Sequence, residues 1–243
     1  MTEKQRLNRF IASCGLCSRR KADLLVRTGR VTVNLEVCAD PSRIIDPGRD
    51  SVRVDGEIIS VQEKLYIAMH KPRGCVCSVS DQFSRTVLEL LPPWYRARGL
   101  FPVGRLDKDS EGLLLLTNDG ALAHRILHPG QHVPKTYQVL LDSQLSADSI
   151  ESFSRGTEIE GRLVRPEGVT LLKKNPEGRW ITITLSEGIK REIRIMASTR
   201  GFRVKKLVRT GIGRLELKRL GPGNFIALDG EALLRMILHG GSL

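Results

Sequence analysis

The run Val103-Gly-Arg-Leu-Asp107-Lys-Asp-Ser-Glu-Gly-Leu-Leu-Leu-Leu-Thr-Asn-Asp-Gly120 holds the residues best suited to chemistry. Its four consecutive leucines read as a strand buried on both faces, and Asn118-Asp119-Gly120 turns the chain into a helix. Asp107 lies just ahead of that strand. A carboxylate on a loop braced by a rigid strand is fixed in direction and still accessible, as a nucleophile or general base must be. Arg105, Asp109 and Glu111 surround it with mixed charge. Two other readings stand beside the catalytic one. Asp107 and Asp109 fit turn positions, because Asp side chains bond nearby backbone, and they fit hard-oxygen metal ligation. A metal loop is the weakest of the three, since no third acid falls at a recognisable spacing.

The elements that must position Asp107 belong to a segment following a charged connector at residues 61–64. Strands are predicted near Leu65–Met69, Leu113–Thr117, Thr136–Leu141 and Trp180–Leu185, and helices at Ala121–Leu127, Ala147–Arg155, Arg191–Arg200 and Gly230–Leu238. Strands mixed with helices in this way argue α+β rather than a regular βαβ array. Residues 1–60 have the texture of a separate compact module. Leu7, Phe10, Ile11 and Cys14 form one helix face, Ser18 can cap a second helix striped by Ala22, Leu25 and Val26, and Gly29 can end it. Val31-Thr-Val33 alternates as a strand, and Asp55-Gly56 between Ser51–Val54 and Glu57–Ser60 signals a hairpin.

The 243 residues include 39 Lys+Arg and 27 Asp+Glu, a net charge of +12. With 40% hydrophobic and 27% charged residues the chain can build a core, and its basicity points to a polyanionic partner. The longest apolar run, Gly112 to Leu116, is far below the roughly 20 residues of a membrane span, and no basic amphipathic helix or lipidation signal supports a membrane surface. Five cysteines suit a reducing cytoplasm better than a disulfide framework. The charge is uneven. Residues 1–30 hold eight basic residues against Glu3 and Asp23, and residues 186–221 hold eleven against three acids, which reads as two RNA-facing patches rather than ordinary solvated faces.

Cys14-Gly-Leu-Cys17 and Cys75-Val-Cys77 fall one pair in each segment, so buried structural cysteines are expected rather than a zinc site. His124, His128 and His132 are spaced four apart, but Pro129-Gly130 breaks the helix and no carboxylate partner is evident. No metal is expected.

Several motifs carry a family resemblance. Leu7 to Val37, with Ser18-Arg-Arg-Lys-Ala-Asp-Leu-Leu-Val and Gly-Arg-Val-Thr-Val-Asn34, resembles the S-four type RNA-binding domain. Leu35 stands where that family usually has Gly, and a Leu there is expected to resist the positive φ of a tight turn. Gly104-Arg-Leu-Asp107 followed by Ser110-Glu-Gly-Leu-Leu resembles the catalytic motif of RsuA-type bacterial pseudouridine synthases. Tyr66-Ile-Ala-Met-His-Lys71-Pro-Arg-Gly74 is similar to that family's first strand and turn, with His70 for Asn. Lys135-Thr-Tyr137-Gln-Val is similar to its tyrosine motif. Ser186-Glu-Gly-Ile-Lys-Arg-Glu-Ile-Arg194-Ile-Met196 resembles its last motif, with Glu192 for Gln and Ile195 for Arg.

The resemblance implies an α+β architecture: an S-four type domain at residues 1–62, then a catalytic domain at 63–243 with a mixed, mainly antiparallel sheet and flanking helices. It implies isomerisation of a uridine, with Asp107 attacking ring carbon 6 or the ribose anomeric carbon. Arg194 would pair with that carboxylate, and Tyr137 would stack on the flipped base and assist proton removal from carbon 5. Arg105, Lys71, Arg73, Lys135, Lys190 and Arg191 would bind the substrate, and Arg6, Arg9, Arg19, Arg20, Lys21 and Arg30 would bind RNA through the front module. No cofactor is called for. The expected partner is RNA, ribosomal first and transfer RNA second, with no membrane, for a cytoplasmic monomer. A non-enzymatic RNA-binding or ribosome-assembly factor on the same scaffold is the competing class, motivated by His70, Glu192 and Ile195.

Overall fold

A computed structural model of the chain describes residues 4–172 and 178–238. Glu3, and the ends of the two expected domains at residues 1–3 and 239–243, lie outside the described residues. The front module packs α1 (Leu7–Ser13) and α2 (Arg19–Arg27) over a small sheet. Leu7, Phe10, Ile11 and Cys14 are buried together with Ala22, Leu25 and Val26, as the helical spacing requires. Ser18 caps α2, its hydroxyl oxygen accepting from the Lys21 amide at 3.3 Å. The sheet runs Glu36–Val37, Val31–Val33, Val52–Val54, Glu57–Ile58, all antiparallel.

Leu35 corrects one expectation. The turn takes positive φ at both Asn34 and Leu35, 54° and 70°. Asn34 is clamped: its amide donates to Asp50 Oδ1 at 2.8 Å and its carbonyl oxygen accepts from the Ser51 amide at 2.9 Å. Those two bonds hold a conformation that costs a β-carbon about 1–2 kcal/mol.

The larger part is built on a nine-stranded sheet. Its strands are β1 (Tyr66–Lys71), β2 (Phe101–Val103), β3 (Glu111–Thr117), β4 (Lys135–Leu141), β5 (Gly168–Leu171), β6 (Trp180–Leu185), β7 (Val204–Ile212), β8 (Leu215–Glu216) and β9 (Phe225–Ala227). The order is β5-β6-β4-β7-β3-β1-β9, with β2 beside β3 and β8 beside β7. Every pairing is antiparallel except that of β7 with β3. With α3 (Gly120–Leu127), α4 (Ala147–Ser154), α5 (Glu192–Ser198) and α6 (Gly230–Leu238), this is the mixed, mainly antiparallel α+β arrangement that the motifs imply.

All seven residues of β3 are buried. Leu113 and Leu115 join a core with Leu122, Ile126, Val208 and Leu233, while Leu114 and Leu116 face the opposite side with Ile67, Met69, Val87 and Leu100. The four leucines therefore fill two cores, as alternation dictates for a strand covered on both faces. One edge of β3 pairs along its length with β1. Glu111–Gly112 takes Val208–Arg209 of β7, and Leu115–Thr117 takes Phe101–Val103 of β2. The chain from residue 104 to residue 110 spans from β2 to the start of β3.

Gly112 makes the β7 junction possible. Its φ is 116°, and a β-carbon there would lie 2.3 Å from the Arg209 carbonyl oxygen. Asn118 and Asp119 anchor the connector to the opposite end of β3. Asn118 Oδ1 accepts from the Leu65 amide at 2.8 Å, its amide donates to the Glu63 carbonyl at 2.9 Å, and Asp119 pairs with Lys64 at 2.8 Å.

Candidate active site

Asp107 sits on the loop between β2 and β3 with its side chain 36% exposed, on the wall of a cleft of about 580 Å³. Arg73, Gly74, Lys108, Asp109 and Arg191 complete the lining. The loop is tightly held. Ser110 N–H donates to the Asp107 carbonyl at 3.1 Å, and the Gly74 amide donates to the Lys108 carbonyl at 2.7 Å, which joins the turn after β1 to the turn before β3.

Lys71, the last residue of β1, does the rest of the positioning. Its side chain is wholly buried at 0% exposure, and its ammonium donates to the carbonyls of Pro72 (3.1 Å), Asp107 (3.1 Å) and Ser110 (2.7 Å). Burial pulls the ammonium below the usual lysine range, and nearby thiols and carboxylates, Asp107 among them, pull it back. Lys71 was expected to contact substrate RNA. It is a staple beneath the Asp107 loop instead, because its donors are spent on backbone and no part of it reaches solvent.

The expected ion pair is also rearranged. Arg194, on the inner side of α5, pairs with Asp109 at 2.8 Å and reaches Ser110 Oγ at 3.4 Å. The cation facing Asp107 is Arg191, at 3.7 Å. Arg191 caps α5 in the left-handed region, φ 59° and ψ 22°, a conformation a non-glycine residue keeps only when its surroundings impose it. Tyr137, on β4, is 8% exposed and lies directly opposite Arg209 of β7. Burial pushes its phenol up from the ordinary range; the nearby Arg209 guanidinium opposes that shift, while Glu192 and Asp107 add to it. Tyr137 is thus a neutral phenol at pH 7.

Glu192 is buried at the start of α5, where its carboxylate accepts from the Ile189 amide at 3.1 Å. Desolvation raises its pKa, with Lys135 acting against the rise. Lys135 is half-buried and donates to the Ser186 carbonyl at 3.2 Å.

The structure therefore gathers Asp107, Arg73 and Arg191 around one cleft, with Lys71 and Arg194 bonded to the loop that carries Asp107, Tyr137 in the core beside Leu106, and Lys135 held to the Ser186 carbonyl. Arg105 and Lys190 are exposed on two of the three loops that carry the cleft residues, outside its lining. Arg6, Arg9, Arg19, Arg20 and Lys21 are exposed on the front module, and Arg30, also exposed, pairs with Asp55 at 2.5 Å. The basic stretch of residues 186–221 is less of a phosphate wall than its composition suggests. Arg209 is 4% exposed and donates to the Leu113 carbonyl at 2.7 Å, Arg200 bonds the Ser152 and Gly156 carbonyls, and Lys206 pairs with Glu111 at 2.6 Å. Arg209 is the contributor that sequence reasoning missed, since nothing in a run of basic residues marks the one that points inward.

His124 and His128 are exposed neighbours with ring centroids 5.3 Å apart. Cys14 lies in the front core, where burial pushes its thiol up to about 12, and Cys75 lies in the core beside β1. No helix among the described residues is long and apolar enough to cross a membrane.

Comparison with known proteins places the chain in a family. The profile of the RNA pseudouridylate synthase family matches residues 65–199, and that of the S4 domain matches residues 5–51. A Bacillus subtilis protein described as an uncharacterized RNA pseudouridine synthase, YtzG, is 38% identical across 94% of this chain and 96% of its own length. Ribosomal large subunit pseudouridine synthase B of Yersinia pestis is 32% identical across 94% of this chain and 74% of its own. A crystal structure of a pseudouridylate synthase superposes with a TM-score of 0.65 at 28% identity, covering 96% of this chain and 99% of that one.

Proposed function

The chain belongs to the RNA pseudouridylate synthase family, an isomerase acting on RNA, and on that premise we propose that it converts a specific uridine of structured ribosomal RNA to pseudouridine with Asp107 as nucleophile. The observation that carries the assignment is the Asp107 loop itself. Its backbone is stapled by Lys71, its carboxylate opens on the cleft, and Arg191 faces that carboxylate at 3.7 Å. A cation at that distance helps hold the carboxylate's direction toward a nucleotide in the cleft.

The reaction breaks the bond between the ribose anomeric carbon and N1 and forms one from the same carbon to C5. The C5 proton departs and N1 gains one, so atoms balance without an external reactant. Asp107 bonds transiently to ring carbon 6 or to the anomeric carbon as the bond to N1 is broken, and that ester or adduct breaks again, returning the free carboxylate, once the anomeric carbon has joined C5. Tyr137, kept neutral by burial, offers a ring face to the base and a hydroxyl for hydrogen bonding. The uridine enters the cleft flipped from its stack, at a cost of a few kcal/mol. Cations on the front module, residues 1–62, and around the cleft offset that cost by neutralising phosphates. The name of the Yersinia pestis relative favours large-subunit ribosomal RNA as the substrate.

Carbodiimide mapping of ribosomal and transfer RNA from cells lacking the protein tests the proposal. One modification in ribosomal RNA is expected to be lost and to return with the wild-type protein but not with Asp107→Asn. Equal restoration by Asp107→Asn removes the nucleophile assignment, and a lost modification in transfer RNA alone replaces the substrate.

A further inference from the structure

Phe83 is 92% exposed, more than any other large hydrophobic side chain among the described residues. Leaving a phenylalanine in water forgoes the stabilisation its burial would bring; what singles out Phe83 is where its turn is held. The backbone beneath it is fixed. Asp81 Oδ1 accepts from the amides of Phe83 at 2.9 Å and Ser84 at 2.7 Å, forming an Asx turn. The stem of the loop is closed by the Val76 amide on the Arg85 carbonyl and the Val87 amide on the Val76 carbonyl, both at 3.0 Å. Trp94, the other strongly exposed aromatic, stacks on Tyr95 with centroids 3.6 Å apart.

The turn is also tied to the site. Lys108, which follows Asp107, donates its ammonium to Ser84 Oγ at 2.9 Å. The turn that carries Phe83 is therefore joined, through Ser84, to the residue that follows Asp107. Arg73 and Lys108 line the cleft, and Arg85, next along the loop, is exposed. An aromatic face among exposed cations near an RNA-modifying site suits a nucleobase on its ring and phosphates on its flanks.

Resting on the isomerase reading above, we propose that Phe83 stacks on a nucleobase of the substrate RNA flanking the target uridine. The ring supplies the stacking neighbour that the flipped uridine vacates, so it positions RNA for the reaction without touching the reacting atoms.

The test uses full-length protein and ribosomal RNA carrying tritium at uridine C5, prepared from cells lacking the protein. Phe83→Ala is expected to raise KM for tritium release roughly 5- to 150-fold, the range for loss of one base-aromatic stack, with kcat within twofold of wild type. Phe83→Trp should restore KM, and Phe83→Leu, apolar but without a π face, should not. In an Asp107→Asn background the emission of the Phe83→Trp protein should be quenched by the same RNA beyond the quenching seen with Phe83 in place. An unchanged KM in Phe83→Ala, full rescue by Leu, or no additional quenching overturns the proposal. Quenching is read without turnover. A wild-type protein that releases no tritium refutes the isomerase reading, while the quenching result still decides whether Phe83 stacks on RNA.

Discussion

Replacing Lys71 with methionine separates two roles that a lysine in this motif could have. Methionine fills most of the volume but donates nothing to the Pro72, Asp107 and Ser110 carbonyls. The Asp107 carbonyl keeps its bond from the Ser110 amide, so Pro72 and Ser110 are left short of a donor. At about 1–3 kcal/mol for each unsatisfied buried acceptor the gross loss is about 2–6 kcal/mol. Relief from burying an ammonium offsets part of it. A net destabilisation of about 1–3 kcal/mol is expected in urea unfolding. The effect on catalysis should be larger, because the Asp107 backbone is freed and a shift of about 1 Å in a reacting group costs on the order of 100-fold in rate. Tritium release under saturating RNA measures that loss, and RNA affinity measured across a salt series gives the control. A staple leaves the slope of log affinity against log salt at its wild-type value, whereas loss of one phosphate contact reduces it by about 0.7–0.9. A Lys71→Met protein that keeps kcat and loses salt slope refutes the staple.

Two further outcomes follow from the geometry. Burial raises the Glu192 pKa, so the folded state holds the proton to higher pH than the unfolded chain, and stability falls as pH rises from about 4.3, the unfolded value, through the higher folded one. Glu192→Gln removes that cost and should stabilise the protein at pH 8 more than at pH 4 in chemical denaturation; an equal change at both would contradict the burial argument. Gly112→Ala places a methyl 2.3 Å from the Arg209 carbonyl at a φ of 116° and should destabilise by more than about 3 kcal/mol, whereas Gly120→Ala, with nothing within 4 Å, should be neutral or stabilising by up to about 1 kcal/mol. Comparable unfolding midpoints for the two variants would mean that the β3–β7 junction yields to a side chain.

Local chemistry was legible from the chain alone where it suffices. The Ser18 cap, the Asp55-Gly56 turn and the helix started by Asp119 rest on contacts between near neighbours, and the β3 leucines announce burial on both faces by composition alone. Strands β1, β3, β4 and β6 were expected within two residues at either end. β7 escaped because Lys205, Lys206 and Arg209 interrupt its apolar alternation, although Arg209 is buried against β3. The site divides in the same way. The Asp107 loop is local and was found, whereas Lys71, Arg191 and Arg194 acquire their partners only when β1, β3 and α5 meet, and a motif records residue types without recording which pair forms. Leu35 shows the converse: a locally unfavourable turn is held by Asn34 reaching across to Asp50 and Ser51.

The divided edge of β3 carries a consequence for how the enzyme comes into being. The start of β3, where the Asp107 loop ends, is secured by β7, and the bond from Arg209 to Leu113 joins residues 96 apart. Closing so long a loop is slow compared with forming the β1–β3 and β2–β3 ladders, whose partners are nearer in sequence. A chain emerging from the ribosome can therefore complete its front module and the β1–β2–β3 part of its sheet, with the Lys71 staple under the Asp107 loop, before β7 arrives. The contacts that β7 brings to the start of β3, through Arg209 and Lys206, are then the last to form.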